Sequence, residues 1–238
     1  MATISYPTKG IVESYLRQIF SPLPSRCLCS SSLMLGFISE YHTYPGYYGT
    51  LDYNISSLKV DIVGVDIPIL VEDNNTSNCI IAIVAQDPLR VKTDEMLRSF
   101  KPNFSKPIVG TPFAYHYDCI RYPKTEVYRL VINGLLKKGY KVYVTDIWKS
   151  WDNKKTKVTR MGIWSNKNPH KNCLKEEFAL IKPCKVILMG SEAQNKYKSI
   201  NYPVEPIKVP HPSNANNGSW TTVGTNPQDK ANYILNQV

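Results

Sequence analysis

The sequence predicts an α/β fold, a three-layer α/β/α sandwich around a central four-stranded parallel sheet, and three observations carry that expectation. Residues 79–86, 141–147, 185–189 and 207–209 are short apolar runs without polar alternation, the pattern of strands buried on both faces. Segments of helical periodicity lie between and after these runs, and such strand–helix alternation marks a parallel sheet covered by helices. The chain has 238 residues, 42% of them hydrophobic, enough for one sizeable core.

Taken in order, a helix is expected over residues 10–20, followed by a Tyr-rich stretch at 41–53 and a strand near 58–65. These belong to residues 1–77, read as an N-terminal extension packed on the core; residues 78–238 form the α/β/α domain, and the two make a single structural unit. After the first apolar run, Pro123 opens a helix in which Val127, Leu130, Val131, Gly134 and Leu135 recur at helical spacing. Lys137 and Lys138 fall in its last turn and Gly139 at its C-cap. A second helix over 172–182 puts Leu174, Phe178 and Ile181 on one face and stops at Pro183. A third follows Gly190 with Ser191 as N-cap, and a last one spans 228–237.

Composition excludes several classes. The longest apolar stretches, such as 79–85, fall far short of the ~20 residues of a membrane span, so no membrane association is expected. Residues 1–10 lack a charged segment followed by an apolar one, so no signal peptide is expected, and the expected location is intracellular, cytoplasm or nucleus. Six cysteines in a chain of this length do not read as a disulfide framework; Cys79, Cys119 and Cys184 read as buried small residues. The chain is expected to be a monomer.

Lys and Arg number 29 against 19 acids, a net charge of +10. Residues 137–185 hold thirteen Lys/Arg against four acids and so carry nine of those ten charges. There Trp148, Trp151 and Trp164 interleave with Lys149, Lys154, Lys155, Lys157 and Arg160. Cations offset phosphate charge and aromatic faces stack on unpaired bases, which makes nucleic acid the leading partner class. The alternative is a solvated lysine-rich face whose tryptophans pack inward.

In an open parallel sheet, chemistry collects at the carboxyl ends of the strands. Those ends read Gln86-Asp87-Pro88, Thr145-Asp146, Gly190-Ser191 and Pro210-His211-Pro212-Ser213, so Asp87, Asp146 and His211 form a candidate site.

The order of these segments resembles the uracil-DNA glycosylase superfamily. The run from Ile81 to Pro88 (IAIVAQDP) is similar to its first motif, G-Q-D-P-Y-H in the classical branch, and Gly110-Thr111-Pro112-Phe113 to the G-x-P-F of the iron–sulfur branch. Val142 to Lys149 (VYVTDIWK) resembles that branch's V-Y-I-T-N-V-V-K. The stretch from Cys173 through Leu180-Ile181-Lys182-Pro183 to Gly190 resembles its C-x-P-x-L…E-x-x-L-I-x-P-K-V-I-V-x-L-G segment, and Val209-Pro210-His211-Pro212-Ser213 its H-P-S motif. The likeness covers residues 79–220, and residues 1–77 show none.

The resemblance implies hydrolysis of the base–sugar bond of a nucleotide flipped out of DNA, with uracil or a related deaminated base as substrate and no cofactor. Asp87 would orient water and stabilise the sugar cation, and His211 would donate to the base oxygen as charge develops there. Phe113 would stack on the base, the backbone at Gln86 would hold its edge, and Ser213 with neighbouring amides would grip phosphate, beside Lys149, Lys154, Lys155, Lys157 and Arg160. Tyr115, His116 and Tyr117 follow Phe113 closely in the chain and are candidates to line the pocket, with His116 either a catalyst or a hydrogen-bonded loop residue.

This chain departs from the family at several positions. Asp146 stands where an Asn usually reads the uracil edge; it is either protonated, or faces a base bearing an amino group, or itself activates water. Leu89 replaces the Tyr that excludes thymine, and Ala85 a Gly. Cys173 aligns with one cluster ligand, but Ser150 stands at another and Cys27 and Cys29 are spaced C-x-C, so no iron–sulfur cluster is expected. The segment from Asn214 to Trp220 lacks the Leu that often fills the vacated stack; either Trp220 or the Asn-rich turn takes that role, or the loop is plain polar surface. Two rival expectations are a diverged relative that binds DNA without cleaving it, and an α/β hydrolase of free nucleosides or nucleotides.

Overall fold

The computed structural model describes residues 3–19, 32–38, 43–50, 62–86, 108–110, 123–152 and 168–238. The four expected strands form and run parallel: β6 (Ile80–Ala85), β8 (Lys141–Asp146), β10 (Lys185–Met189) and β11 (Ile207–Val209) lie side by side in the order β8-β6-β10-β11. The sheet is nevertheless mixed and six-stranded, which corrects the expectation of four parallel strands. Strand β5 (Ile69–Glu72) pairs antiparallel with β8, and β1 (Thr3–Ser5) pairs antiparallel with β5. Both come from the first 77 residues, so β1 and β5 complete one edge of the sheet.

A second sheet holds β2 (Ser32–Ile38), β3 (Thr43–Thr50), β7 (Ile108–Gly110), β4 (Ile62–Asp66) and β9 (Ser150–Asp152), in that spatial order. The Tyr-rich stretch thus supplies β3, and the strand expected near 58–65 is β4.

Helices cover both faces of the main sheet, and the two-residue period of a strand sorts its side chains between them. On one face Ile81, Ile83, Val142, Val144 and Ile187 pack against α2 (Pro123–Lys137) and α5 (Pro227–Asn236). On the other, Ala82, Val84, Tyr143, Val186 and Leu188 pack against α3 (Pro169–Ile181) and α4 (Ser191–Tyr197). The N-terminal α1 (Lys9–Ile19) joins the α3 side, where the Tyr15 hydroxyl donates to Glu176 at 2.7 Å.

Helix limits follow local chemistry. Helix α2 ends as expected at Gly139, whose φ of +82° lets the Gly139 and Tyr140 amides donate back to Leu136 and Leu135. Helix α3 starts three residues earlier than its apolar spacing indicates, because Asn168 caps the His170 and Lys171 amides and Pro169 occupies the first turn. Helix α5 begins the same way, with Asn226 as cap and Pro227 next.

Cys79 and Cys184, expected as buried apolar residues, are instead half-buried and exposed, and they are bonded to each other across the amino ends of β6 and β10. The link closes a sequence separation of 105 residues. Restricting so long a loop in the unfolded chain is expected to contribute about 2–4 kcal/mol. Urea unfolding of Cys184→Ala, or of the wild type with a thiol reductant, should show that loss; coincident curves with and without reductant would contradict it.

Candidate functional site

The strand order contains a reversal. From β6 the chain moves to one side to form β8, then returns to the other side of β6 to form β10 and β11. Ligands of open α/β sheets bind at the carboxyl side of such a switch point. A cleft of about 480 Å³ lies there, lined by Gln86 after β6, Gly190, Ser191 and Gln194 at the β10–α4 junction, and Pro210 and His211 after β11. Lys208, Asn216 and Ser219 complete its described rim.

Gly190 makes the junction tight. Its φ of +93° belongs to glycine, and a Cβ there would stand 2.9 Å from the His211 Cβ. Its amide donates to the Val209 carbonyl at 2.9 Å, and Gln194 Nε2 donates to the same carbonyl at 2.8 Å, so α4, β10 and β11 are tied together at the cleft floor.

His211 is held from three sides. Its Nδ1 accepts the Ser213 amide at 3.2 Å, which leaves the proton of the neutral ring on Nε2. The Trp220 Nε1 donates to the His211 carbonyl at 3.0 Å. Lys230 Nζ donates to the Pro212 carbonyl at 3.1 Å and to Asn217 Oδ1 at 2.8 Å. Burial first, and the Lys230 charge second, hold the His211 pKa below its ordinary 6.5. Protonating Nδ1 would also set two donors against each other at Ser213. The cleft therefore presents a neutral imidazole N–H donor among amides and hydroxyls, with Lys208 as a cation at the rim; that set suits a planar polar group or an anion.

Of the other expected site residues, Gln86 stands exposed at the lip, its carbonyl accepting from the Trp148 amide at 3.0 Å. Asp146 pairs in register with Ala85 at the end of β8, beside the cleft but not lining it, and is buried. Ser213 is half-buried, with its amide turned inward to His211 and its hydroxyl accepting from Asn216 Nδ2 at 3.4 Å. Asp87, Leu89, Phe113, Tyr115, His116, Tyr117, Lys154, Lys155, Lys157, Arg160 and Trp164 lie outside the described residues.

One expectation needs correcting, and one alternative for the loop after β11 falls away. Lys149 is not on a DNA-facing flank: its side chain is 1% exposed and its Nζ lies 2.8 Å from Glu177 Oε1. The same ammonium donates to Thr145 Oγ1 and to the Asp146 carbonyl, at 2.7 and 2.6 Å. Glu177, fully buried, also accepts from Thr145 Oγ1 at 2.8 Å and Cys173 Sγ at 3.3 Å. Trp220 is fully buried and edge-on to Tyr233, so it is core beneath the loop and not a wedge for the base stack. Trp148, too, packs inward, its Nε1 donating to Glu192 at 3.2 Å.

Sequence reasoning missed Lys230 and Glu177. Each had one visible signal, a charge on the apolar stripe of its helix, beside Ala231 and Ile234 in α5 and beside Leu174 and Phe178 in α3. Among the described residues no group of three or more His, Cys, Asp or Glu is placed to hold a metal ion. Nor is any described helix long and apolar enough to cross a membrane. Compared with known proteins, the chain matches no family model and no curated sequence.

A second histidine supplies a stability test. His170 Nδ1 accepts the Lys149 amide at 3.0 Å, and burial, then the Lys149 charge, hold its pKa at about 3. Its folded pKa lies below the unfolded 6.5, so its contribution is complete above that pH and is lost as pH falls through the window toward 3. Between pH 6.5 and 5, above the carboxylate range, unfolding free energy should fall by up to about 1.4 kcal/mol per pH unit. His170→Asn keeps an acceptor without a titrating group and should flatten that slope in urea titrations; parallel slopes would contradict the assignment.

Proposed function

We propose that this chain is a DNA glycosylase that hydrolyses the N-glycosidic bond of uracil or a related deaminated base flipped into the switch-point cleft. One observation carries the proposal: Gln86, Gly190 and His211, from three separate segments resembling the uracil-DNA glycosylase superfamily, meet at one cleft of nucleobase scale around a neutral imidazole donor. Neither resemblance nor fold would suffice alone, since function resides in the site.

In the proposed reaction the C1′–N bond breaks with its electron pair leaving on the base. His211 Nε2–H donates to the base oxygen on which that charge collects, a donor worth most where water is excluded. A water molecule adds its oxygen to C1′, and its proton passes to Asp87, the residue that follows Gln86 in the chain. Asp146, buried at the end of the neighbouring strand, would set the choice of base. The basic segment Lys154, Lys155, Lys157 and Arg160 would hold phosphates.

Oligonucleotides carrying uracil, hypoxanthine, xanthine or cytosine, treated with alkali after incubation, test this directly. At least one should yield alkali-labile abasic sites, His211→Ala should slow their formation about 10²–10³-fold, and Asp146→Asn should change the ranking of bases. If wild type binds these strands yet produces no abasic site on any, the chain is a binding protein and not a glycosylase.

A further inference from the structure

Lys230 is a lysine whose surroundings would ordinarily demand an aliphatic residue. It lies on the buried face of α5 with 1% of its surface exposed, next to Ala231 and Ile234. A buried charge is expected to meet a counter-charge. No carboxylate pairs with Lys230 among the described residues: Asp229, its neighbour in α5, is engaged by Asn226. The partners of Lys230 are instead the Pro212 carbonyl, the Asn217 side-chain oxygen and the face of Trp220, 5.7 Å from the ring centroid. All three belong to the single segment that leaves β11 and carries His211.

We propose that Lys230 is a positioning residue for the cleft: its ammonium pins the loop after β11 from beneath, through Pro212, Asn217 and Trp220, so that His211 keeps Nδ1 on the Ser213 amide and presents Nε2–H to the ligand. As a role in base excision this rests on the glycosylase proposal; as a statement about the imidazole it does not. Trp220 extends the clamp, since the ring under the ammonium is also the one that donates to the His211 carbonyl. Because no described acid neutralises it, the charge of Lys230 acts on the loop. It opposes protonation of His211 and favours negative charge arriving on the far side of the ring. A buried carboxylate partner would cancel both effects, and an aliphatic residue would supply neither.

The other described groups around His211 do not duplicate this. From β11, Lys208 sits at the exposed rim, 3.8 Å from Glu205. From α4, Glu192 is engaged by Trp148 Nε1, and Ser191 and Gln194 are uncharged. From β6 comes Gln86, also uncharged.

Two variants separate charge from packing. Lys230→Gln removes the charge and keeps a donor, whereas Lys230→Met keeps the stem on Trp220 and removes both. Circular dichroism checks that each folds. NMR titration of the His211 ring, without any substrate, should show its midpoint moved upward in both variants, and in Lys230→Met the Ser213 amide resonance should also shift. An unmoved His211 midpoint in a folded variant overturns the proposal. If wild type excises a base, kcat should fall about tenfold or more in Lys230→Met with KM little changed, the pattern of a lost transition-state interaction; a rise in KM alone overturns the positioning role. If wild type excises no base, the glycosylase proposal fails, and the substrate-free titration still decides the role of Lys230.

Discussion

The site depends on the hydrogen-bonded ladder that places β6 between β8 and β10, all three running the same way. That central position puts the first strand of the parallel set beside both the second and the third, and so creates the point where the strand order reverses. The next described helix after β6, α2, covers one face of the sheet and the helix after β10, α4, covers the other, so the chain parts to opposite sides there and a cleft opens. Everything assigned to the site follows from which residues come next: Gln86 after β6, Gly190 after β10, His211 after β11. Shifting any strand by one residue would exchange its two buried faces, and both faces carry helices, so the register is strongly held.

Within that frame, two buried lysines do different work. Lys149 meets Glu177 with Thr145 and Cys173 around it, a saturated network that ties the end of β8 to α3. Buried pairs of this kind add little net stability compared with an apolar substitute, yet losing one partner costs about 3–5 kcal/mol. The network thus acts as a lock on geometry beside Asp146. Burial also holds the Cys173 thiol and the Tyr143 hydroxyl, which meets Thr8 at 2.9 Å, well above their ordinary pKa values, so both stay neutral. Lys230, by contrast, is paired among the described residues with oxygens of the loop it supports and with a ring. One cation is cancelled where structure is needed, and the other is left acting where the ligand would sit.

Much of this was legible in the sequence, for identifiable reasons. The strands β6, β8 and β10 showed as apolar runs because each is buried on both faces, whereas β11 is short and turns Lys208 outward. Gly139 and Pro183 marked helix ends because positive φ and a missing amide are local requirements. The antiparallel edge was hidden: β1 is three residues long, and its partner β5 lies more than sixty residues away, so nothing local announces the pair. The Cys79–Cys184 bond was hidden for the same reason. Lys149 and Lys230 misled or escaped because a lysine in a basic segment reads as solvated, and only tertiary packing reveals an inward turn. The positions of the cleft residues in sequence were visible; the clamp that orients His211 was not.

The central claim is that His211 offers a neutral Nε2–H to a base held in the switch-point cleft. The most direct measurement is NMR of the His211 ring during titration with oligonucleotides whose target nucleotide is a 2′-fluorinated deoxyuridine or deoxyinosine, which resists hydrolysis. The account predicts a saturable downfield shift of the Nε2 proton with one of these strands, with Nδ1 unprotonated throughout, and no such shift with an undamaged strand of the same sequence. A His211 resonance that stays in place when the strand is bound, or a ring that becomes doubly protonated on binding, would contradict it.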